Sequence, residues 1–324
     1  MSVSANQITI AVTVYSRRQF IKQAVASALN QSMPVRVLVV EDCGPDPMLE
    51  SFVKSEFGSK IEYIRNPRRR GLFGNWNACL ELCRTEWITI LHDDDYLAAN
   101  YTQAMVELAA EAPGKALYLG RTIVVKEGGE VAAAEMQDAR AVAGRWVKRD
   151  LRDILFEPFL FPGHLFHVAT AKRLGGFRET SYMAGDWEMW AKLMASGGAA
   201  QTSQIVAFSR AHEGWDRASN QAARTGKHMP SVYVHHKRIL SLLPPEQRVM
   251  MDRAALQRRS PIGVRYLLRY GNSMSPRLLR YHVGLMRLST PPHWRYAVYQ
   301  QCARVGGAGF VRLTSRLWNR LHRS

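Results

Sequence analysis

Short apolar runs alternate with helix-like segments over the first third of the chain. The runs at 8–14, 35–40, 61–64 and 87–91 are rich in β-branched and other apolar residues, and the segments between them place apolar residues on one helical face. Near-continuous apolar runs are typical of strands that are buried on both faces, and parallel strands need helical crossovers. The order predicts an α/β fold with a doubly wound, mostly parallel sheet.

Polar residues lie at the ends of three of these predicted strands. Thr13 and Tyr15 close the first run, Asp42 follows the second, and an acidic triplet at 93–95 follows the fourth. In open α/β sheets ligands bind outside the carboxyl ends of the strands, so we expect these side chains to meet at one edge. Three adjacent carboxylates repel one another and are rarely buried without a cation. The triplet therefore indicates a divalent metal that carries phosphate.

The charge of the chain is concentrated in its last third. The 324 residues carry a formal net charge of +17, and their hydrophobic fraction of 47% is enough for a full core. Residues 227–324 contain 18 Lys or Arg against two carboxylates, whereas the remainder is close to neutral. We therefore predict a domain over 1–226 and a basic helical region over 227–324, with helix breaks at Pro244-Pro245, Pro261, Pro276 and Pro291-Pro292.

Four stretches resemble, in this order, the family-two glycosyltransferases. They read "ITIAVTVYSRRQFIKQAVASALNQS" from Ile8, "VRVLVVEDCGPD" from Val35, "GLFGNWNACLELCRTEWITILHDDD" from Gly71 and "GGFRETSYMAGDWEMWAKL" from Gly175. Single motifs of this kind are weak, but four in the right order are strong. The resemblance covers roughly residues 8–220. It implies the A-type fold and a metal-dependent, inverting enzyme that uses a nucleotide sugar, with a nucleotide-binding half at about 1–97 and an acceptor half at about 98–226.

The resemblance also implies how the donor is bound. Thr13, Tyr15 and Asp42 match positions that hold the nucleoside, and Asp93 matches the carboxylate on the ribose side. We expect a donor of the UDP, GDP or TDP type. Three arginines at 68–70 precede the third helix, where one could meet phosphate, although a solvated loop explains at least two of them.

The metal ligands follow from the same resemblance. Asp94 matches the ligand of Mg²⁺ or Mn²⁺ on the donor diphosphate, and Asp95 is either a second ligand or the cap of the following helix. His212 matches the histidine of an Arg-x-His element that reaches the diphosphate or the metal. His92 departs from the family, where Asp is common at that position, and leaves open whether His92 or Asp93 takes the first role in the motif.

Asp186 is the predicted general base. Inversion needs one carboxylate that takes the proton of the acceptor hydroxyl. Asp186 lies between Gly185 and a bulky segment at 187–190, and its position matches the family's base. Glu188 is the rival, and either acid could instead be a charge at a helix N-terminus.

The C-terminal region contains a basic amphipathic helix. Arg312, Arg316 and Arg320 recur beside an apolar stripe that includes Leu313 and Leu317. An anionic membrane surface suits this pattern, because each basic residue there contributes about 1 kcal/mol. The alternative to membrane binding is that these helices pack their apolar face on the catalytic domain and leave the arginines in solvent. We expect no nucleic acid partner, because no nucleic-acid module accompanies the charge.

These features predict a transferase that moves a sugar to a hydroxyl of a glycan or a lipid-linked acceptor, in surface polysaccharide assembly. The polar first residues and the lack of a long apolar run favour a cytoplasmic protein that is peripheral to the inner face of the cell membrane. The alternative is a non-catalytic basic protein on the same scaffold that binds membrane or nucleic acid.

Overall fold

A computed structural model gives the fold of the chain. It describes residues 3–126, 146–156, 159–211, 225, 227–277, 279–280 and 294–321. His212, the predicted histidine of the Arg-x-His element, lies outside these ranges.

The first seven elements follow the predicted alternation of strands and helices. They are β1 (Ile8–Val14), α1 (Arg18–Leu29), β2 (Arg36–Glu41), α2 (Leu49–Phe57), β3 (Glu62–Arg65), α3 (Leu72–Leu82) and β4 (Trp87–His92). All seven residues of β1 are buried, as expected for a central parallel strand with helices on both faces.

Shorter elements complete the sheet and its cover. They are β5 (Tyr96–Leu97), α4 (Tyr101–Glu111), β6 (Leu117–Lys126), β7 (Trp146–Arg149), α5 (Leu151–Phe156), β8 (His164–His167), α6 (Val168–Arg173), α7 (Gly185–Gly197) and β9 (Ala199–Ala211). Three long helices follow: α8 (His228–Ser241), α9 (Pro245–Tyr270) and α10 (Trp294–Leu321).

One sheet contains all of these strands. Its order is β3-β2-β1-β4-β8-β6-β9-β5, and β7 pairs with β9 beside this path. The ladders among β1 to β4 and the long β6–β9 ladder are parallel, whereas β8, β5 and β7 pair antiparallel with their neighbours. The predicted α/β class with a mostly parallel sheet is confirmed. The three antiparallel strands all come from the part of the chain after β4.

The chain divides into two compact units. The first comprises Met1–Asp150, Phe159–Thr180 and Met189–His212, and the second comprises Leu151–Pro158, Ser181–Glu188 and Glu213–Ser324. The core of the first unit is formed by β1, β2 and β4 together with the inward faces of α1 and α4.

The second unit is helical where it is described. Residues from α9 and α10, among them Val264, Leu267 and Val311, form its own buried cluster. The break predicted at Pro261 is wrong, because α9 continues through it. Proline removes one helical hydrogen bond, and the burial of Val264 and Leu267 against α10 outweighs that loss. None of the helices in the described part of the chain has the length and apolar character that a membrane crossing requires.

Candidate active site

The carboxyl ends of β1, β2 and β4 meet at one edge of the sheet. Val14 pairs in register with Glu41, and Thr13 pairs with His92. The residues that follow these strands are therefore neighbours, and the edge gathers the polar residues that the sequence predicts there.

The acidic triplet at this edge is buried. Asp93, Asp94 and Asp95 are each no more than 6% exposed. The Arg17 guanidinium pairs with two of these carboxylates: its Nη1 lies 2.9 Å from Asp93 Oδ1 and 2.5 Å from Asp94 Oδ2. Buried carboxylates are costly unless they are paired, so Arg17 is part of the site. The sequence analysis missed it; the available signal was a basic residue directly after β1, at the edge where the triplet is expected.

The third carboxylate has different partners. Asp95 Oδ1 accepts a hydrogen bond from the backbone N–H of Arg210 at 2.9 Å, and its Oδ2 lies 3.5 Å from Nδ1 of His92. Asp95 precedes β5, and α4 has Asn100 at its N-cap. The alternative role of Asp95 as a helix cap is therefore wrong.

His92, Asp94 and Asp95 can supply one ligand atom each within 4.8 Å of one another. Two carboxylate oxygens and one imidazole nitrogen form a donor set that suits a divalent ion such as Mn²⁺, and carboxylates alone suit Mg²⁺. The residues present therefore fit a metal, and they include His92, whose role relative to Asp93 is open from the sequence.

The local field shifts two pKa values. Burial raises the pKa of Asp93 to about 7, with the Asp94 charge acting in the same direction and Arg17 opposing both. Burial alone would lower the pKa of His92, but its hydrogen bond to Asp95 and the three nearby carboxylates raise it above its usual value. A proton or another cation is thus favoured at this edge in the folded chain.

An aromatic stack supports His92 from the side of the core. The ring of Phe161 lies 4.2 Å from the His92 ring, almost parallel to it, and Trp76 stacks at 5.4 Å. The neighbouring His164 is also fully buried. Its Nε2 accepts a hydrogen bond from the N–H of Ile90 at 3.2 Å, so its proton lies on Nδ1, which donates to the Phe161 carbonyl. Phe161 and His164 thus fix the position of β4 and His92.

Asp42 organises a loop at the end of β2. Its carboxylate accepts hydrogen bonds from the backbone N–H groups of Arg70 at 2.6 Å and Gly71 at 2.9 Å. Burial raises the pKa of Asp42 in spite of these bonds. The loop borders a cavity of about 390 Å³, within the size range of ligand pockets. Its lining residues are Asn66, Pro67, Arg68, Arg69, Arg70 and Glu179.

Tyr15 lies between this loop and the turn after β2. The Arg69 guanidinium stacks 4.3 Å above the Tyr15 ring. Gly44 approaches Tyr15 from the other strand so closely that a Cβ on Gly44 would lie 1.8 Å from the Tyr15 carbonyl oxygen. Thr13 is buried, with its hydroxyl 3.4 Å from the Leu91 carbonyl. The structure therefore brings Thr13, Tyr15 and Asp42 to the edge that carries the acidic triplet.

The second unit contains the predicted base and its rival. Asp186 and Glu188 both lie in the first turn of α7. Glu188 is 3% exposed, and its Oε2 accepts hydrogen bonds from Nδ1 of His235 at 2.7 Å and from Arg238 at 3.2 Å. Asp186 is half-buried. His212 falls outside the described residues, so its predicted role stays a prediction.

The sheet order and the acidic edge match the A-type fold of glycosyltransferases. Residues 9–164 match the family described as Glycosyl transferase family 2. This part of the chain therefore carries a glycosyltransferase domain of the family that the sequence analysis identifies by resemblance. The comparisons give no support to the non-catalytic alternative.

Relatives and solved structures agree with this assignment. The chain is 24% identical over 194 residues to the "GalNAc(5)-diNAcBac-PP-undecaprenol beta-1,3-glucosyltransferase" of Campylobacter jejuni, a match that covers 58% of this chain and 59% of that protein. The chain thus spans about six-tenths of the length of this curated relative.

Two solved structures share the fold at low identity. S. aureus TarS 1–349 in complex with UDP-GlcNAc has a TM-score of 0.65 and 16% identity, over 97% of this chain and 92% of that chain. The mannosyltransferase PcManGT from Pyrobaculum calidifontis, in complex with GDP-Man and Mn²⁺, has a TM-score of 0.55 and 15% identity, over 98% and 88%. At these identities the likeness concerns the fold alone.

Proposed function

We propose that the chain is a metal-dependent, inverting glycosyltransferase that moves a sugar from a nucleotide-sugar donor to a hydroxyl of a glycan or lipid-linked acceptor. The observation that carries this proposal is the His92, Asp94 and Asp95 cluster at the sheet edge where β1, β2 and β4 end. We place the reaction in surface polysaccharide assembly, because the curated relative is named for a lipid-linked sugar acceptor.

The metal would be held by Asp94 and Asp95, with His92 as a nitrogen ligand. Mg²⁺ or Mn²⁺ supplies positive charge that stabilises the diphosphate as the glycosyl bond breaks. The predicted ligand His212 remains a further candidate. Mn²⁺ fits the mixed donor set better than Mg²⁺, because imidazole nitrogen suits transition metals.

The nucleoside would bind next to this cluster. Tyr15, under the Arg69 guanidinium, offers a flat surface for a base, and Thr13 borders the same edge. Asp42 Oδ1 accepts from the Arg70 N–H and, at 3.5 Å, from the Asn66 amide, and its Oδ2 accepts from the Gly71 N–H. The second lone pair of Oδ2 is the acceptor we assign to a base edge. Asp93, the member of the triplet that is not a proposed metal ligand, is the carboxylate that we expect to contact the ribose.

Asp186 is the base that the contacts in the second unit favour. Glu188 is buried, and its Oε2 already accepts hydrogen bonds from His235 and Arg238, so this oxygen is engaged within the fold. Asp186 keeps partial exposure in the same helical turn. A base must reach the acceptor hydroxyl, and Asp186, which is more exposed than Glu188, meets that requirement.

The C-terminal helix α10 is the proposed membrane contact. Leu313 is 58% exposed and Leu317 is 48% exposed, and they share a helix face with the exposed Arg316 and Arg320. Val311, by contrast, is fully buried in the core of the second unit. Exposed leucines flanked by arginines suit the anionic inner face of a membrane, where a lipid-linked acceptor would be located.

A donor screen tests the function. The full chain is incubated with UDP-, GDP- and TDP-sugars and Mn²⁺, and slow donor hydrolysis is followed by mass spectrometry. We expect hydrolysis of one nucleotide class and its loss with EDTA.

Asp186→Asn should bind that donor normally but fail to transfer its sugar to an acceptor, whereas Glu188→Asp should retain transfer. Near-normal transfer by Asp186→Asn would remove Asp186 from the role of base.

A further inference from the structure

One arginine occupies the position between the two first carboxylates of the acidic triplet. Arg17 lies three residues beyond the end of β1, and its side chain is only 16% exposed. A single nitrogen, Nη1, is shared by Asp93 Oδ1 at 2.9 Å and Asp94 Oδ2 at 2.5 Å. The residue proposed as a metal ligand, Asp94, is therefore already paired with a cation of the protein itself.

A metal on Asp94 and the Arg17 guanidinium would compete for the same carboxylate. Both are cations, and in a site with little water they repel each other strongly at contact distance. A metal that arrives alone must therefore separate Arg17 from Asp94, which takes one of two carboxylate partners in the triplet from the guanidinium. Removing one partner from a buried group of paired charges is unfavourable, so free metal should bind weakly.

A diphosphate changes this balance. Guanidinium groups match phosphate oxygens in geometry and charge, and such pairs are among the stronger hydrogen bonds. A nucleotide diphosphate that arrives with the metal offers Arg17 a replacement for the carboxylate that it gives up.

We propose that Arg17 is a cation switch: it holds Asp93 and Asp94 in the empty site and transfers to the donor diphosphate when a metal binds Asp94. The inference rests on the proposed function and adds the way in which metal and donor binding are coupled. It makes Arg17 a diphosphate-binding residue, and it predicts that metal and nucleotide strengthen each other's binding through this side chain.

The adjacent residue provides a matched control. Arg18 has the same charge and pairs with Asp46 at 2.7 Å, but its side chain is 43% exposed and Asp46 is outside the triplet. Arg18→Gln therefore removes one positive charge from the same turn without releasing Asp94.

The first experiment measures binding of Mn²⁺ alone to the full chain by electron paramagnetic resonance. Arg17→Gln should bind Mn²⁺ about tenfold more tightly than the wild type, a typical size for a coupling between two bound groups. Arg18→Gln and the charge-preserving Arg17→Lys should remain close to the wild type. If Arg17→Gln fails to fold, Arg17→Met, which has a similar length and no charge, gives the same comparison. Unchanged Mn²⁺ affinity in the neutral variant would overturn the proposal.

The second experiment repeats the Mn²⁺ titrations with saturating UDP or GDP. The nucleotide should strengthen Mn²⁺ binding to the wild type and to Arg18→Gln by a factor about tenfold larger than in Arg17→Gln. Equal enhancement in all three proteins would show that Arg17 does not transfer to the diphosphate. If the wild type binds nucleotide with Mn²⁺ and Arg17→Gln behaves identically, the switch fails and the proposed function stands. If the wild type binds no nucleotide with Mn²⁺, both fail.

Discussion

At the scale of single residues, the acidic triplet can be recognised in the sequence, whereas the residue that pairs with it cannot. The acidic triplet is visible because three carboxylates follow an apolar run. Its partner Arg17 is 76 residues away from Asp93, and only the parallel pairing of β1 with β4 brings the two together. Sequence separation of this kind carries no local signal, so the sequence shows the acidic triplet but not its positively charged partner.

His164 makes a prediction about stability and pH. Burial lowers the pKa of His164 to about 3, whereas an exposed histidine titrates near its ordinary value. As the pH falls below that ordinary value, the unfolded chain binds a proton that the folded chain does not. The free energy of unfolding should therefore decrease on acidification, by about 1.4 kcal/mol per pH unit from this group.

Urea unfolding at pH 7, 6 and 5 tests this effect. His164→Gln can still accept from Ile90 N–H and donate to the Phe161 carbonyl, but it does not titrate. The stability of the wild type should fall relative to His164→Gln as the pH is lowered. A difference that is constant over this range would contradict a neutral, buried His164.

At the scale of elements, the strands and helices up to β4 follow from the sequence with bounds that differ by one or two residues. Their apolar periodicity is strong because both faces of the parallel strands are buried. The segments around β5, β7 and β8 were not predicted, since each has two to four residues and is determined by its neighbours in the sheet. Pro261 shows the opposite case, in which packing overrides a strong local preference.

Gly44 tests how the ends of β1 and β2 form one site. A Cβ at Gly44 would lie 1.8 Å from the Tyr15 carbonyl oxygen, so Gly44→Ala must separate the two strand ends. We expect a loss of about 2 kcal/mol in the free energy of unfolding, typical of overpacking, together with weaker nucleotide binding.

Gly309→Ala is the matched control. Among the described residues, and apart from the backbone of its own helix, no atom lies within 4 Å of a Cβ at this position in α10. The substitution should therefore leave nucleotide binding unchanged. Its helical propensity should stabilise the chain by about 0.5–1 kcal/mol. Normal stability and binding in Gly44→Ala would contradict the close approach of the two strand ends.

At the scale of the whole molecule, the charge distribution predicts a nearly neutral domain over 1–226 and a basic helical region over 227–324. Which residues of the basic helical region are exposed could not be predicted. The apolar stripe read from the sequence contains Phe310, which packs on the buried cluster of the second unit, and Leu313 and Leu317, which are exposed. Packing between α9 and α10 decides this distribution.

The exposed leucines of α10 predict membrane binding. Leu313→Asp combined with Leu317→Asp should lower co-sedimentation with anionic liposomes by about tenfold or more. The double variant loses two apolar side chains that would enter the membrane surface, and it adds negative charge. Val124→Asp introduces an acid at a similarly exposed position of β6 and should bind as the wild type does. Unchanged binding of the double variant would favour helices that are merely solvated.

The central claim is that the edge formed by β1, β2 and β4 binds a nucleotide diphosphate through a metal on Asp94. Isothermal titration calorimetry of UDP, GDP and TDP, with Mn²⁺ and with EDTA, tests it directly. The wild type should bind at least one of these nucleotides only when Mn²⁺ is present, and Asp94→Asn should lose that binding. The control Asp46→Asn, a half-buried carboxylate outside the triplet, should retain it. Binding of none of the three nucleotides with Mn²⁺, or undiminished binding by Asp94→Asn, would contradict the claim.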